Sequence, residues 1–343
     1  MSGGVDSAVA ALLLKQAGYD VIGVTLRTWP GKEGQESRCC EIDDARETAR
    51  TIGIPYYAFS CEADFEDRIV RPFVSGYLNG KTPNPCVICN REIKWERLIY
   101  HANVLKADYV ATGHYATVIR LENGRYTVRK ALHGEKDQTY MLYRLTQEQL
   151  KRTLMPLGDY AKADVRKIAE EAGIRVASKP DSQEICFVPD GSYSDFIKEH
   201  ENGEVPGSGH FVDESGNVLG VHEGIQRYTI GQRKNLGIAM GHPVYVTAIR
   251  PETNEVVIGE NEDLFTTSVT AKSIAFMGIA PFEGPLRGVG KIRYGQKPAP
   301  CSVTMQDADT IHVVFDDPVR AVTPGQSVVI YRDGVVMLGG VIS

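Results

Sequence analysis

The stretch Met1–Asp20, MSGGVDSAVAALLLKQAGYD, decides the fold. Ser2, Gly3, Gly4, Val5, Asp6 and Ser7 form a glycine-rich turn, and the small residues with Leu12 and Leu13 behind it have the spacing of a helix that stops at Gly18. Two glycines let backbone N–H groups approach an anion, the helix directs its positive end at the same point, and Ser2 and Ser7 add hydroxyls. The lysine that closes the common Gly-Lys-Ser/Thr phosphate loop is not in this turn. Asp6, badly placed beside phosphate, reads as a helix cap or a magnesium ligand.

Outward from this helix, strands and helices alternate. DVIGVTL reads as a strand, EIDDARETARTIGI as a helix, PYYAFS as a strand, the stretch around DFEDRIVRPFVSGYL as helical, NREIKWERLIYHANVLKA as an amphipathic helix and DYVATGH as a strand. This alternation predicts an α/β fold of Rossmann type, a parallel sheet with helices on both faces. A hairpin with an Asn123-Gly124 turn interrupts it before helices resume in LTQEQLKRTLMPL and KADVRKIAEEAG. After Pro189 the texture turns to short alternating stretches with glycine turns, which predicts small β domains, one of them a barrel. The expected units are 1–199 for a catalytic nucleotide-binding domain, 200–266 for a central β-rich domain and 267–343 for a C-terminal β-barrel.

Across 343 residues, 42% hydrophobic, 24% charged and a net charge of −6 describe an ordinary globular chain. No apolar run reaches membrane-span length and no basic leader with a cleavage site is present, so a cytoplasmic protein without a membrane partner is expected. An acidic total excludes a coat of positive charge but not a local basic surface. Arg287, Lys291, Arg293 and Lys297 follow one another without an acidic residue between them, a run that by itself reads as a solvated face.

Seven cysteines argue against a disulfide scaffold and for individual thiol chemistry. TPNPCVICNREIKWE places Cys86 and Cys89 just ahead of the expected third helix, where a helix dipole favours thiolate. A zinc half-site lacks a second C-x-x-C, while a redox pair and a thiol nucleophile both stay open. Cys61 and Cys301 read as core residues. Cys186 in KPDSQEICFVPDG, preceded by Asp181, Ser182 and Glu184, reads equally well as core or functional, and adjacent Cys39 and Cys40 have no assigned role.

SGGVDS resembles the PP-loop of ATP pyrophosphatases, which implies ATP with Mg²⁺ and places Leu26 and Gly113 of ATGHY in the adenosine pocket. SGGVDS, TPNPxxxCN, ATGHY, KDQTY, DSxxICF, TIGQRKNLGI and VTPGQS occur in one order along nearly the whole chain. Together they closely resemble the tRNA 2-thiouridylase family. That resemblance implies a sulfurtransferase that adenylates the 2-carbonyl of the tRNA wobble uridine, with Cys89 as nucleophile and Cys186 as the persulfide carrier, the two closing a transient disulfide. It places Asn84, Pro85 and Cys86 at the target base, and Lys136, Asp137 and Gln138 with Arg293 and Tyr294 on tRNA. It also implies a persulfide donor as partner. Cys86 stands where many relatives carry aspartate, so it is read as facing substrate, not as catalytic. An iron–sulfur cluster on Cys86, Cys89 and Cys186 is a competing reading, ranked below a persulfide relay because two thiols already account for the chemistry. Other PP-loop enzymes acting on small molecules, and a non-enzymatic RNA-binding protein, are the alternatives. Relatives have a short strand ahead of the loop. Without it, weak ATP binding is expected.

Overall fold

The computed structural model describes residues 1–29, 41–180, 185–188 and 193–343. Cys39, Cys40, Asp181, Ser182 and Glu184 lie outside these residues. α1 (Val5–Gln16) begins at Gly4, whose extended backbone ends the turn, and stops at Ala17 and the left-handed Gly18. β1 (Gly23–Arg27) and β2 (Tyr56–Ser60) pair in parallel with α2 (Ile42–Ile52) between them in sequence. β3 (Val110–Ala111) pairs in parallel with β6 (Thr153–Leu154). The expected parallel sheet is thus present as two short parallel pairs.

Between β2 and β3 two helical rods each contain a wide π-type turn. α3 (Glu62–Phe65) continues through Glu66–Val70 into α4 (Arg71–Leu78), and α5 (Pro85–Cys89) continues through Asn90–Trp95 into α6 (Glu96–Val104). The second rod starts at Pro85, not at Asn90 as the periodicity predicts. Proline at the first helical position has its φ already set and no N–H to leave unpaired. Consequently Cys86 lies in the opening turn and Cys89 one turn further in. α7 (Gln147–Lys151), closed by a Thr146–Gln149 capping box, α8 (Lys162–Glu171) and α9 (Tyr193–His200) complete this region.

A four-stranded sheet follows, in the order β8 (Val218–His222), β7 (Gly209–Val212), β10 (Glu255–Gly259), β9 (Tyr245–Arg250). The last region is a closed barrel of β11 (Phe265–Phe276), β12 (Leu286–Lys291), β13 (Ala299–Met305), β14 (Thr310–Arg320), β15 (Ser327–Arg332) and β16 (Val335–Ile342). The ring order is β11-β14-β13-β12-β15-β16, and β16 pairs back onto β11, which leaves no open edge.

The hairpin β4 (Ala116–Arg120) and β5 (Tyr126–Lys130) leaves the α/β region and docks on this barrel, Arg129 opposite Val335. The Thr127 hydroxyl donates to the Val336 carbonyl at 2.5 Å, and Arg125 reaches the Phe276 and Met277 carbonyls. One core therefore crosses the junction: Trp95, Tyr140, Tyr143 and Leu145 pack with Val329, Tyr331 and Val336. Buried tyrosines are stable there only because their hydroxyls are satisfied. Tyr140 donates to the Ser327 carbonyl at 2.8 Å, and the Ser327 hydroxyl donates to Tyr143 at 3.1 Å. Cys61 and Cys301 are buried as expected, and burial pushes the Cys301 thiol up to about 12.

Candidate active site

The phosphate turn is built from its own residues. Gly3 has φ +78°, and a Cβ there would lie 2.7 Å from the Glu41 carbonyl oxygen, so only glycine fits. At Gly4 a Cβ would meet only the Ser2 Oγ, at 3.6 Å; this is the open side of a cradle at the positive end of α1. The Ser7 hydroxyl accepts from the Ser2 N–H at 3.0 Å and donates to the Gly4 carbonyl at 3.1 Å. Both serine hydroxyls thus face the same turn. The donor set of backbone N–H groups and two hydroxyls fits a polyphosphate.

Asp6 neither caps α1 nor stands ready for a metal. Its carboxylate receives Lys162 at 2.7 and 2.8 Å and the Tyr115 hydroxyl at 2.7 Å. Its charge is balanced by a lysine brought from α8, 156 residues away in sequence, which spacing along the chain could not reveal. Gly113, expected in the adenosine pocket, packs against the turn: a Cβ there would be 2.6 Å from the Asp6 carbonyl carbon and 2.7 Å from the Ser7 nitrogen. The neighbouring His114 is half-buried beside Trp95, Nδ1 3.0 Å from the Thr112 hydroxyl, and burial followed by the Lys94 charge lowers its pKa to about 3. It is neutral at physiological pH and supplies no proton there.

Two of the thiols belong to a second cluster. Leu26, Phe65, Ile69, Phe73, Cys89 and Phe187 form one buried group, against which Cys186 packs half-buried. Cys89 is 6% exposed, whereas Cys86, three residues earlier, is exposed. The structure therefore brings Cys89 and Cys186 to the same apolar wall as Leu26, the expected adenosine contact. Among the described residues no group of three or more His, Cys, Asp or Glu side chains is disposed to hold a metal ion.

Ahead of these thiols, Asn84 has an extended backbone and points its amide at the Met141 sulfur, 3.6 Å away, and Pro85 is buried. Asn90, directly after Cys89, donates to the Met141 carbonyl at 3.0 Å. The segment expected to face the target base is thus seated against the Thr139–Met141 turn.

Lys136 and Asp137 are close enough to Tyr294 at the barrel junction to act on its hydroxyl, but Lys136, Asp137, Gln138, Arg293 and Tyr294 do different things. Gln138 exchanges bonds with Tyr115, its side-chain oxygen accepting from the Tyr115 N–H at 3.0 Å. Asp137 accepts from the Thr139 hydroxyl at 2.8 Å. Burial, then the charge of Asp137, raises the Tyr294 pKa, with Lys136 acting in the opposite direction. Tyr294 is 40% exposed and remains available for stacking. Arg293 instead donates to the Ile230 carbonyl at 2.8 Å and to the Thr323 hydroxyl, tying the central sheet region to the barrel.

The basic run does not form one solvated face. Arg287 is paired with Asp316 at 2.6 Å, and Lys291 lies 5.2 Å from the Tyr294 ring centre with its pKa lowered by burial. Of the four, Lys297 is exposed and makes no ion pair or hydrogen bond among the described residues. No helix among the described residues is long and apolar enough to cross a membrane.

Three family models match in succession: a tRNA methyl transferase HUP domain over residues 1–190, a tRNA methyl transferase PRC-barrel domain over 194–260 and an aminomethyltransferase beta-barrel domain over 266–342. The chain is 50% identical to tRNA-specific 2-thiouridylase MnmA of Lachnoclostridium phytofermentans, covering 100% of this chain and 98% of that protein. It is 50% identical to the protein of the same name from Clostridioides difficile and 49% to that from Clostridium kluyveri, in both cases over 100% of this chain, with 96% and 97% of the relative covered. With a phosphate turn, two thiols on one wall and full-length identity at this level, the chain belongs to the tRNA-specific 2-thiouridylase family.

Proposed function

We propose that this enzyme converts the wobble uridine of tRNA to 2-thiouridine, with ATP bound at Ser2–Ser7, Leu26 and Gly113. The observation that carries the reading is the packing of Cys89 and Cys186 on the wall that also holds Leu26. ATP adenylates the 2-carbonyl oxygen and releases pyrophosphate, giving a carbon from which AMP can leave. A donor has placed a persulfide on Cys186. The Cys89 thiolate attacks the Cys186 sulfur, forming the Cys89–Cys186 disulfide and expelling hydrosulfide, which adds to C2 and displaces AMP. Alternatively the outer persulfide sulfur attacks C2 first and displaces AMP, and Cys89 then attacks the Cys186 sulfur of the resulting mixed disulfide, releasing thiouridine and leaving the Cys89–Cys186 disulfide. Both routes end with one disulfide, which a thiol reductant must reopen with two electrons before the next turnover.

Magnesium enters with the nucleotide, because the one carboxylate of the turn is already taken by Lys162 and Tyr115. Asn84, Pro85 and Cys86 face the flipped base, and Lys136 and Tyr294 meet the anticodon arm. Gln138, Asp137 and Arg293 shape that surface from behind. The working units are 1–199, 200–266 and 267–343, the last two holding tRNA against the first.

The test incubates unmodified tRNA with ATP, a persulfide donor and a thiol reductant, and measures 2-thiouridine by nucleoside mass spectrometry. Wild type should form it, while Cys89→Ser and Cys186→Ser should each lose roughly three orders of magnitude or more, as expected when a reacting nucleophile is removed. Normal thiolation by both variants would overturn the two-thiol mechanism. A second reading, ATP-dependent chemistry on a small molecule, would require activity without tRNA.

A further inference from the structure

Cys186 and Phe187 are the two central residues of a turn at 185–188, closed by the Val188 N–H donating to the Ile185 carbonyl at 3.0 Å. A cysteine has one rotatable bond ahead of its sulfur, so the backbone of this turn sets where the thiol can point. The turn is oriented by its buried half. Phe187 is 2% exposed and stands edge-on to Phe73 of α4 at 5.2 Å and to Phe65 of α3 at 5.5 Å, centre to centre. Phe196 of α9 lies 5.4 Å away on another side, and Trp29 6.2 Å away. Phe65, Phe73 and Phe196 are buried, but Trp29 is only half-buried. It follows β1 by two residues and also meets Phe196 at 5.8 Å and Phe65 at 6.4 Å. Its strand end is pinned: the Arg27 carbonyl accepts from the Cys61 N–H at 2.7 Å, and the Arg27 guanidinium pairs with Glu62 at 2.5 Å.

We propose that Trp29 is a positioning residue for sulfur transfer: its indole closes the aromatic seat of Phe187 and so holds the turn that aims Cys186 along the wall shared with Cys89. Aromatic rings prefer edge-on and tilted contacts, so neighbouring rings fix the orientation of Phe187 as well as burying it. Without the indole, Phe187 keeps Phe65 and Phe73 but faces a gap toward β1, into which its ring can tilt. The turn follows that tilt, because Phe187 is one of its two central residues and Cys186 the other. Trp29 acts on the thiol through Phe187. It stands three residues after Leu26, so one strand end supplies both the expected adenosine contact and the seat of the sulfur turn. The inference rests on the reading of Cys186 as the persulfide carrier.

The experiment uses the full chain with Trp29→Leu, which keeps apolar volume but removes the ring, and the conservative Trp29→Phe. Iodoacetamide labelling, read cysteine by cysteine by peptide mass spectrometry, should modify Cys186 roughly twofold to tenfold faster in Trp29→Leu, the factor that one aromatic pair is worth. Labelling of Cys86 and of buried Cys61 and Cys301 should keep the wild-type rate, and Trp29→Phe should restore slow labelling of Cys186. Single-turnover thiolation by protein already carrying the persulfide should fall roughly tenfold to a hundredfold in Trp29→Leu at saturating ATP and tRNA, the range expected from a misplaced reacting group. Affinity for ATP and for tRNA should not change, and Trp29→Phe should recover most of the rate. Unchanged labelling of Cys186 in Trp29→Leu would overturn the proposal, as would labelling that rises equally at Cys61 and Cys301. A drop in ATP affinity as large as the drop in rate would also overturn it, by placing Trp29 in the nucleotide pocket. The labelling arm needs no turnover. If wild type fails to thiolate tRNA, it still decides whether Trp29 seats this turn, and only the functional reading falls.

Discussion

The phosphate turn and the thiol segment are both short stretches at the start of a helix, yet they are held in opposite ways. Ser2–Ser7 closes on itself through bonds spanning three to five residues, with Gly3 against Glu41. Thr82–Cys89 has almost no bonds of its own and takes its shape from Thr229 and Gln326, 147 and 244 residues away. A turn of the first kind is written in its residue types. One of the second kind is written in the fold.

The largest expected effect tests the local half. Gly113→Ala would place a methyl group 2.6 Å from the Asp6 carbonyl carbon and push the turn off its helix. ATP affinity should drop at least tenfold by calorimetry and stability should fall by about 1–3 kcal/mol in urea titration, the usual cost of overpacking. Cys86 labelling should stay at the wild-type rate. A change there would mean that the two halves are not independently held.

A smaller effect tests the long-range half. Tyr140→Phe removes the hydroxyl that satisfies the Ser327 carbonyl inside the shared core. A loss of about 1–2 kcal/mol in urea unfolding is expected, the cost of one buried unsatisfied group.

The smallest effect is pH dependence in the nucleotide half. His114 has its pKa lowered to about 3 by burial, against 6.5 unfolded. Below pH 6.5 the unfolded chain therefore binds a proton that the folded chain refuses, and stability falls as pH falls. Between pH 7 and 5.5 the loss is about 1 kcal/mol for this group, and His114→Asn should remove that part of the slope in denaturation at the two pH values.

The parts legible in the sequence were those with local signals. α1 has its glycine stop, the β4–β5 hairpin its Asn123-Gly124 turn, and α8 its periodicity. β6 is two residues long, which no period can mark, and it follows directly on α7 where helix alone is expected. β11 is missing from the alternation because register shifts, with Ser273 at φ +54°, break the pattern between its two ends. In the site, the thiols and the phosphate turn carried their residue types openly. The Lys162 partner of Asp6, the anchoring role of Arg293 and the grip on Thr82 did not, since each is a pairing between distant segments.

The span between Thr82 and Gln326 also orders events during synthesis. A contact across 244 residues cannot exist until both ends have been made, and its loop must be closed against chain entropy. Bonds within Ser2–Ser7 need no such wait. A partly synthesised chain can therefore shape its phosphate turn early, while the segment leading to Cys86 and Cys89 gains its bond from Gln326, just ahead of β15, only when nearly the whole chain has been made.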